Sequence, residues 1–134
     1  MPVLRAQDLI RDEPPVTASP EETLLDAAKK LARHNIGSLP VVDREGRILG
    51  IVTERDIVRL IAEQGPDALK KHLGEAMTRV LVTASPEEPI PQIAQKMIRH
   101  GIRHIPIVDR SGRVVGVVSI RRILRHIVAE NEWP

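Results

Sequence analysis

A chain of 134 residues with 42% hydrophobic and 28% charged residues and a formal net charge of +2 can bury a sizeable core, which excludes an intrinsically disordered chain. Cysteine is absent, which excludes disulfide frameworks, thiolate nucleophiles and Cys-ligated metals. No run approaches the ~18 uninterrupted apolar residues of a membrane span, and Met1-Pro2-Val3-Leu4-Arg5 has no signal-peptide core behind it, so the expected location is the cytoplasm, with no membrane partner.

Basic and acidic residues are interspersed without a basic block. Trp133 is the single aromatic residue, so the chain has no platform on which successive bases of a nucleic acid could stack. A nucleic-acid partner is therefore not expected. The core must be aliphatic, and any bound base would lie between aliphatic side chains.

Along the chain, one unit is written twice. Val16–Gln64 aligns with Val82–Glu130 without a gap, and V-T-A-S-P-E-E recurs unchanged. A lead-in precedes each copy: Gln7-Asp8-Leu9-Ile10-Arg11, then Gly74-Glu75-Ala76-Met77-Thr78. Repetition on this scale marks a structural unit. It divides the chain into 1–66, repeat one with its lead-in, and 67–134, a linker and repeat two.

Each copy reads as β-α-β-β-α. The run before Ala18 or Ala84 is the expected first strand. Ser19 or Ser85, with a Glu three residues on, offers a capping box, but Pro89 and Pro91 are tolerated only in a first turn, so the helices are expected to begin near Glu22 and Glu88. Leu24, Ala28, Leu31 and Ala32 make the predicted apolar face, matched by Ile90, Ala94, Met97 and Ile98. Asn35 and Gly101 are predicted terminators. Strands follow over Leu39–Val42 and Arg47–Thr53, joined by a turn at Asp-Arg-Glu-Gly, with equivalents over Ile105–Val108 and Arg113–Ser119. Glu54–Gln64 and Ile120–Glu130 are the closing helices, and Asp67–Leu73 a short helical linker. The fold class is α/β, with two β-α-β-β-α repeats packed about a pseudo-twofold axis, an expectation drawn from the symmetry of the repeat.

The lead-in, V-T-A-S-P, the phrase G-I-x-x-(I/L)-P-(V/I)-V-D over Gly101 to Asp109 and its counterpart over Asn35 to Asp43, and G-x-(I/V)-x-G-(I/V)-V-(T/S) resemble cystathionine-β-synthase-type (CBS) domains in tandem, over nearly the whole chain. The resemblance implies a freestanding Bateman module: a non-catalytic sensor, expected as a homodimer, that binds an adenine nucleotide between its halves and regulates an unknown partner enzyme or transporter. AMP is the first expected ligand, with ADP, ATP and S-adenosylmethionine as the others. An assembly module with a vestigial pocket and a nucleic-acid-binding protein are the alternatives.

The same resemblance implies the site. Thr53 and Asp56 match a T-x-x-D motif whose carboxylate accepts hydrogen bonds from ribose hydroxyls; charge-assisted bonds of this kind are stronger than neutral ones. T-x-x-D is equally a helix cap, and Thr53 fits both roles. In the second copy the motif reads Ser119-Ile120-Arg121-Arg122, and cations in a helix's first turn oppose the macrodipole, which an anion would offset. Arg103 and His104 stand where the first copy has Gly37 and Ser38. A ligand with its ribose on Asp56 is thus expected to present phosphate to Arg103, His104, Arg121 and Arg122, and its base to Thr17, Ile36, Leu39, Pro40 and Val52. The pseudo-symmetric second site, lacking the carboxylate, is expected to be weak or empty. His34 and His100 at helix C-termini and Asp43 and Asp109 beside turns are read as structural; neither a metal nor a catalytic residue is expected.

Overall fold

The structure, a computed structural model, describes residues 3–10, 14–79 and 82–131; Arg11 of the first lead-in and Trp133 lie outside them. It is a mixed α/β chain with antiparallel strands. In chain order the elements are α1 (Ala6–Leu9), α2 (Leu24–His34), β1 (Ser38–Val42), β2 (Ile48–Thr53), α3 (Glu54–Gln64), a 3-10 turn (Pro66–Lys70), α4 (Leu73–Ala76), β3 (Thr78–Arg79), α5 (Ile90–His100), β4 (His104–Val108), β5 (Val114–Ser119) and α6 (Ile120–Asn131). No helix among the described residues is long and apolar enough to cross a membrane.

Helix α2 starts two residues later than the sequence predicts. Thr23 is its N-cap: its hydroxyl accepts from the Asp26 amide at 3.2 Å and Asp26 accepts from the Thr23 amide at 2.9 Å. The Ser19 amide still donates to the Glu22 carboxylate at 2.7 Å, but this pair closes a turn before the helix. In the second copy Pro89 is the N-cap and Pro91 falls in the first turn, where its missing N–H costs nothing. Both helices end as predicted, with Asn35 at φ 52° and Gly101 at φ 64°. Ile36 and Ile102 then donate back to the Leu31 and Met97 carbonyls at 3.1 and 3.0 Å, closing the left-handed termination.

The predicted hairpins are present, with Ser38 opposite Thr53 and His104 opposite Ser119. In the turns, Asp43 accepts from the amides of Glu45 and Arg47, and Asp109 from those of Ser111 and Arg113. Among the described residues the expected first strand is reduced to one bridging residue in each copy. Ala18 bridges Val41, its amide donating to the Pro40 carbonyl and its carbonyl accepting from the Val42 amide, and Ala84 repeats this against Pro106 and Val108. Extending the parallel ladder by one rung either way would need a donor from Pro40 or Pro20, and from Pro106 or Pro86. Proline has none.

The apolar face is also rotated. Leu24, Ala27 and Leu31 are buried in the first copy and Ile90, Ile93 and Met97 in the second, whereas Ala28 and Ala94 are half-buried at its edge. Ala32 is exposed and Ile98 is 82% exposed. Each lies about 100° further round the helix than the buried residue before it, beyond the reach of the core.

Two compact units result, and they do not follow the division at 66/67. One is Val16–Leu81; the other joins Met1–Pro15 to Val82–Pro134. Each lead-in packs on the repeat it does not precede. Ala6 and Gln7 of α1 donate to the carbonyls of Glu88 and Pro86, and Ile90 donates to Leu4; in the same way Leu73 and Gly74 of α4 donate to Glu22 and Pro20, and Leu24 donates to Lys71. The first core gathers Leu24, Ala27, Leu31, Leu39, Val41, Val52, Ile57, Leu60, Ala68 and Leu73. The second gathers Ala6, Leu9, Ile90, Ile93, Met97, Ile105, Ile107, Val118 and Ile123. Helices of four residues cannot persist alone, so α1 and α4 exist because their apolar residues and first amides are taken up by these cores and loops.

Candidate ligand site

In the first unit the site builds on the junction of β2 and α3. Thr53 is extended (φ −113°) and caps α3: its hydroxyl accepts from the Asp56 amide at 3.1 Å, and Asp56 Oδ2 accepts from the Thr53 amide at 2.9 Å. The capping role is therefore real. It consumes one lone-pair direction of one carboxylate oxygen; the other oxygen, Oδ1, faces Arg59 at 3.5 Å, and the side chain is 17% exposed. The result is a fixed carboxylate, favoured by the positive end of α3. Ser38 lies opposite Thr53, and the Gly37 carbonyl accepts from the Glu54 amide at 3.1 Å.

The equivalent junction of the second unit is basic. Arg103 and Arg121 are exposed, the Arg103 carbonyl accepts from the Ile120 amide at 2.9 Å, and His104 is paired with Ser119. The fold thus brings Arg103, His104 and the start of α6 to one end of the β4–β5 hairpin, with no Asp or Glu in residues 102–107 or 117–125. Arg122 is engaged elsewhere: Nη1 donates to the carbonyls of Leu9 at 3.0 Å and Val117 at 3.3 Å.

The residues assigned to the base divide sharply. Leu39 and Val52 have no exposed surface and Pro40 is fully buried; Leu39 and Val52 point into the core shared by α2 and α3. With these side chains in the core, what such positions can offer a base is their backbone groups. Thr17 and Ile36 are half-buried and remain, although the Thr17 carbonyl already accepts from Lys30 Nζ at 2.8 Å.

That lysine belongs to a repeated feature the sequence reading missed. Lys30 also pairs with Glu22 at 2.8 Å, and Lys96 makes the same two contacts with Thr83 and Glu88. The signal was there, since both lysines survive at one aligned position. Also missed were two open clefts, of about 350 and 360 Å³, where T-A-S-P-E-E meets the hairpin turn: Thr17, Glu21, Glu22, Asp43 and Arg44 line one, and Thr83, Glu87, Glu88, Asp109 and Arg110 the other. Carboxylates outnumber cations in their linings, which disfavours a phosphate there.

Asp109 is held below the ordinary carboxylate value by the Ser111 hydroxyl and then by the Arg113 amide, and Asp26 by the amide and hydroxyl of Thr23. His34 and His100 are exposed in the last turns of α2 and α5. Among the described residues no group of three or more His, Cys, Asp or Glu could hold a metal ion.

Comparison with known proteins adds to this geometry. The CBS domain family model matches residues 6–63 and 73–129. The chain is 39% identical over 124 residues to the L-aspartate semialdehyde sulfurtransferase of Methanocaldococcus jannaschii, covering 92% of this chain but only 23% of that enzyme. Among solved structures, the CBS domain pair of protein MJ0100 in complex with 5′-methylthioadenosine and S-adenosyl-L-methionine superposes with a TM-score of 0.87 at 36% identity, covering 96% of this chain and 99% of that one. The CBS domain protein PAE2072 from Pyrobaculum aerophilum, complexed with AMP, gives 0.83 at 31% identity, covering 95% and 97%.

Proposed function

The chain belongs to the CBS domain family as a tandem pair, and from that premise we propose that it is a non-catalytic regulatory module that binds an adenine nucleotide. The fixed carboxylate of Asp56 carries the reading: rigid, largely shielded and with an oxygen beyond its capping bond, it suits a pair of ribose hydroxyls. Arg103, His104 and Arg121 take the phosphate, which makes AMP or a longer adenylate the natural ligand. Arg122, bonded to two carbonyls, is left out of that role. Thr17 and Ile36 border the base. Similar pairs crystallised with 5′-methylthioadenosine, S-adenosyl-L-methionine or AMP support the class of ligand. Homodimerisation and control of a separate enzyme or transporter complete the proposal.

A thermal-shift series with AMP, ADP, ATP, S-adenosylmethionine, GTP and adenosine tests it. Ligand at about 100 times its dissociation constant adds ~2.7 kcal/mol, on the order of 10 °C for a domain of this size. Stabilisation by adenylates and not by GTP is the expected result. The burial of Leu39, Pro40 and Val52 favours a second reading, an assembly module whose pocket has closed. In that case no nucleotide shifts the midpoint.

A further inference from the structure

The two lead-ins clasp their strands in the same way with different atoms. Where the first carries Ile10, the second carries Met77. Each lies across a glycine of the hairpin it covers. A Cβ on Gly116 would stand 2.5 Å from Ile10 Cγ2, and one on Gly50 would stand 2.6 Å from Met77 Sδ and 2.8 Å from its Cγ. Met77 thus fills the space that a side chain of β2 would need, and it does so where β3 pairs Arg79 with Gly50 and Thr78 with Ile51. It is half-buried against the first core, whereas Met97 is 3% exposed. The thioether differs from the hydrocarbon of Ile10 in one chemical respect: its sulfur can take an oxygen and become a polar sulfoxide.

We propose that Met77 is a peroxide-sensitive clasp, a redox switch between α4–β3 and β2 that the first lead-in lacks. A sulfur lone pair attacks one oxygen of a peroxide, and the S–O bond forms as the O–O bond breaks. The sulfur is oxidised, the peroxide is reduced, and the proton of the transferred oxygen passes to the other oxygen, which leaves as water or an alcohol. Directed at β2, the new oxygen has no space, because the sulfur already rests on Gly50 and interiors hold few voids. Turned away, it draws the side chain out of the cradle toward water, since a polar oxygen without a partner is costly to bury. Either way the grip on β2 is lost. The two residues of β3 and the four of α4 are too short to persist alone, so both loosen from the core. Reductases return methionine sulfoxide to methionine, which makes the clasp reversible.

Limited hydrogen peroxide tests this, with peptide mass spectrometry and amide hydrogen exchange read on the same samples. Met77 should gain an oxygen well before Met97. In the oxidised protein the amides of Leu73, Gly74, Ala76 and Met77, which donate to Glu22, Pro20, His72 and Leu73, should exchange faster by on the order of tenfold. Those of Ala6 and Gln7 in the first lead-in should keep their rates. Methionine sulfoxide reductase with a thiol reductant should restore the original pattern. Met77→Ile installs the residue that the first lead-in uses, and its exchange at residues 73–77 should not respond to peroxide. Should that variant fail to fold, Met77→Leu conserves the volume and serves in its place. Oxidation of Met97 as fast as Met77, unchanged exchange at residues 73–77 once Met77 carries its oxygen, or equal loosening of the substituted protein by peroxide each overturns the proposal.

Discussion

Thr53 and Asp56 hold each other: the Asp56 amide donates to the Thr53 hydroxyl at 3.1 Å while the Thr53 amide donates to the Asp56 carboxylate at 2.9 Å. One residue pair thus ends β2, starts α3 and fixes the orientation of the carboxylate on which the functional proposal rests. Stability and binding are separable here. Asp56→Asn keeps a side-chain oxygen for the Thr53 amide, so its melting midpoint should stay close to wild type while adenylate affinity falls. Asp56→Ala loses both, at a cost of about 1 kcal/mol in stability. Equal affinity for AMP in wild type and Asp56→Asn, read by calorimetry, would remove Asp56 from the site.

Gly50 and Gly116 sit under the lead-ins that cross them. A Cβ at Gly50 would meet Met77 Sδ at 2.6 Å and the Thr78 carbonyl at 2.8 Å; one at Gly116 would meet Ile10 Cγ2 at 2.5 Å. Both alanine variants should be destabilised by about 1–3 kcal/mol. Shortening the neighbour should rescue them unequally. Ile10→Ala relieves Gly116→Ala because only a side chain is in the way, whereas Met77→Ala leaves Gly50→Ala against backbone. Denaturant midpoints of the four variants and two doubles decide this.

The rotated helix face predicts opposite outcomes for neighbours. Met97→Ala should cost about 2–5 kcal/mol, as for other buried large-to-small changes. Ile98→Ala, at an 82% exposed position, should stay within about 0.5 kcal/mol of wild type. Urea unfolding of the two proteins gives the answer directly; a loss at Ile98 similar to that at Met97 would contradict the burial.

Exchange of lead-ins between repeats makes a further prediction. Leu73→Ala should destabilise the core of α2, β1, β2 and α3, to which Leu73 belongs, by about 2–5 kcal/mol. Amide exchange should quicken there first, ahead of the helices of the repeat that Leu73 precedes in sequence. Quickening confined to α5 and α6 would be the contrary result.

Asp109 supplies a pH dependence. Its folded pKa is lowered from 3.8 by the Ser111 hydroxyl and the Arg113 amide, so its contribution is fully present above the unfolded value and is lost as pH falls below 3.8 through the lowered folded value. Ser111→Ala removes the leading cause. The variant should bring the Asp109 titration, followed by carboxyl NMR, back toward its ordinary value, while the same titration at Asp26 is unmoved.

Local chemistry was legible in the residues themselves. The repeat, the hairpins with their Asp-x-x-Gly turns, the stops at Asn35 and Gly101 and the T-x-x-D junction all depend on interactions within a few residues, and a sequence displays those directly. Three things were not. The helical face could not be assigned to better than one position, because Ala28, Ala32 and Ile98 are apolar enough for either side and only the partner surface chooses. That Leu39, Pro40 and Val52 are buried was not visible either, since burial is a property of what covers a side chain. Which repeat each lead-in joins was invisible as well: α1 and α4 carry nearly the same signals, and the 3-10 turn at Pro66–Lys70 packs against α2 and α3, turning the chain back so that α4 meets the loop it has just left. Arg122 combines both cases. As a letter it marked the loss of a carboxylate; its bond to Leu9, more than a hundred residues away in the chain, exists only once tertiary packing has brought α1 beside β5.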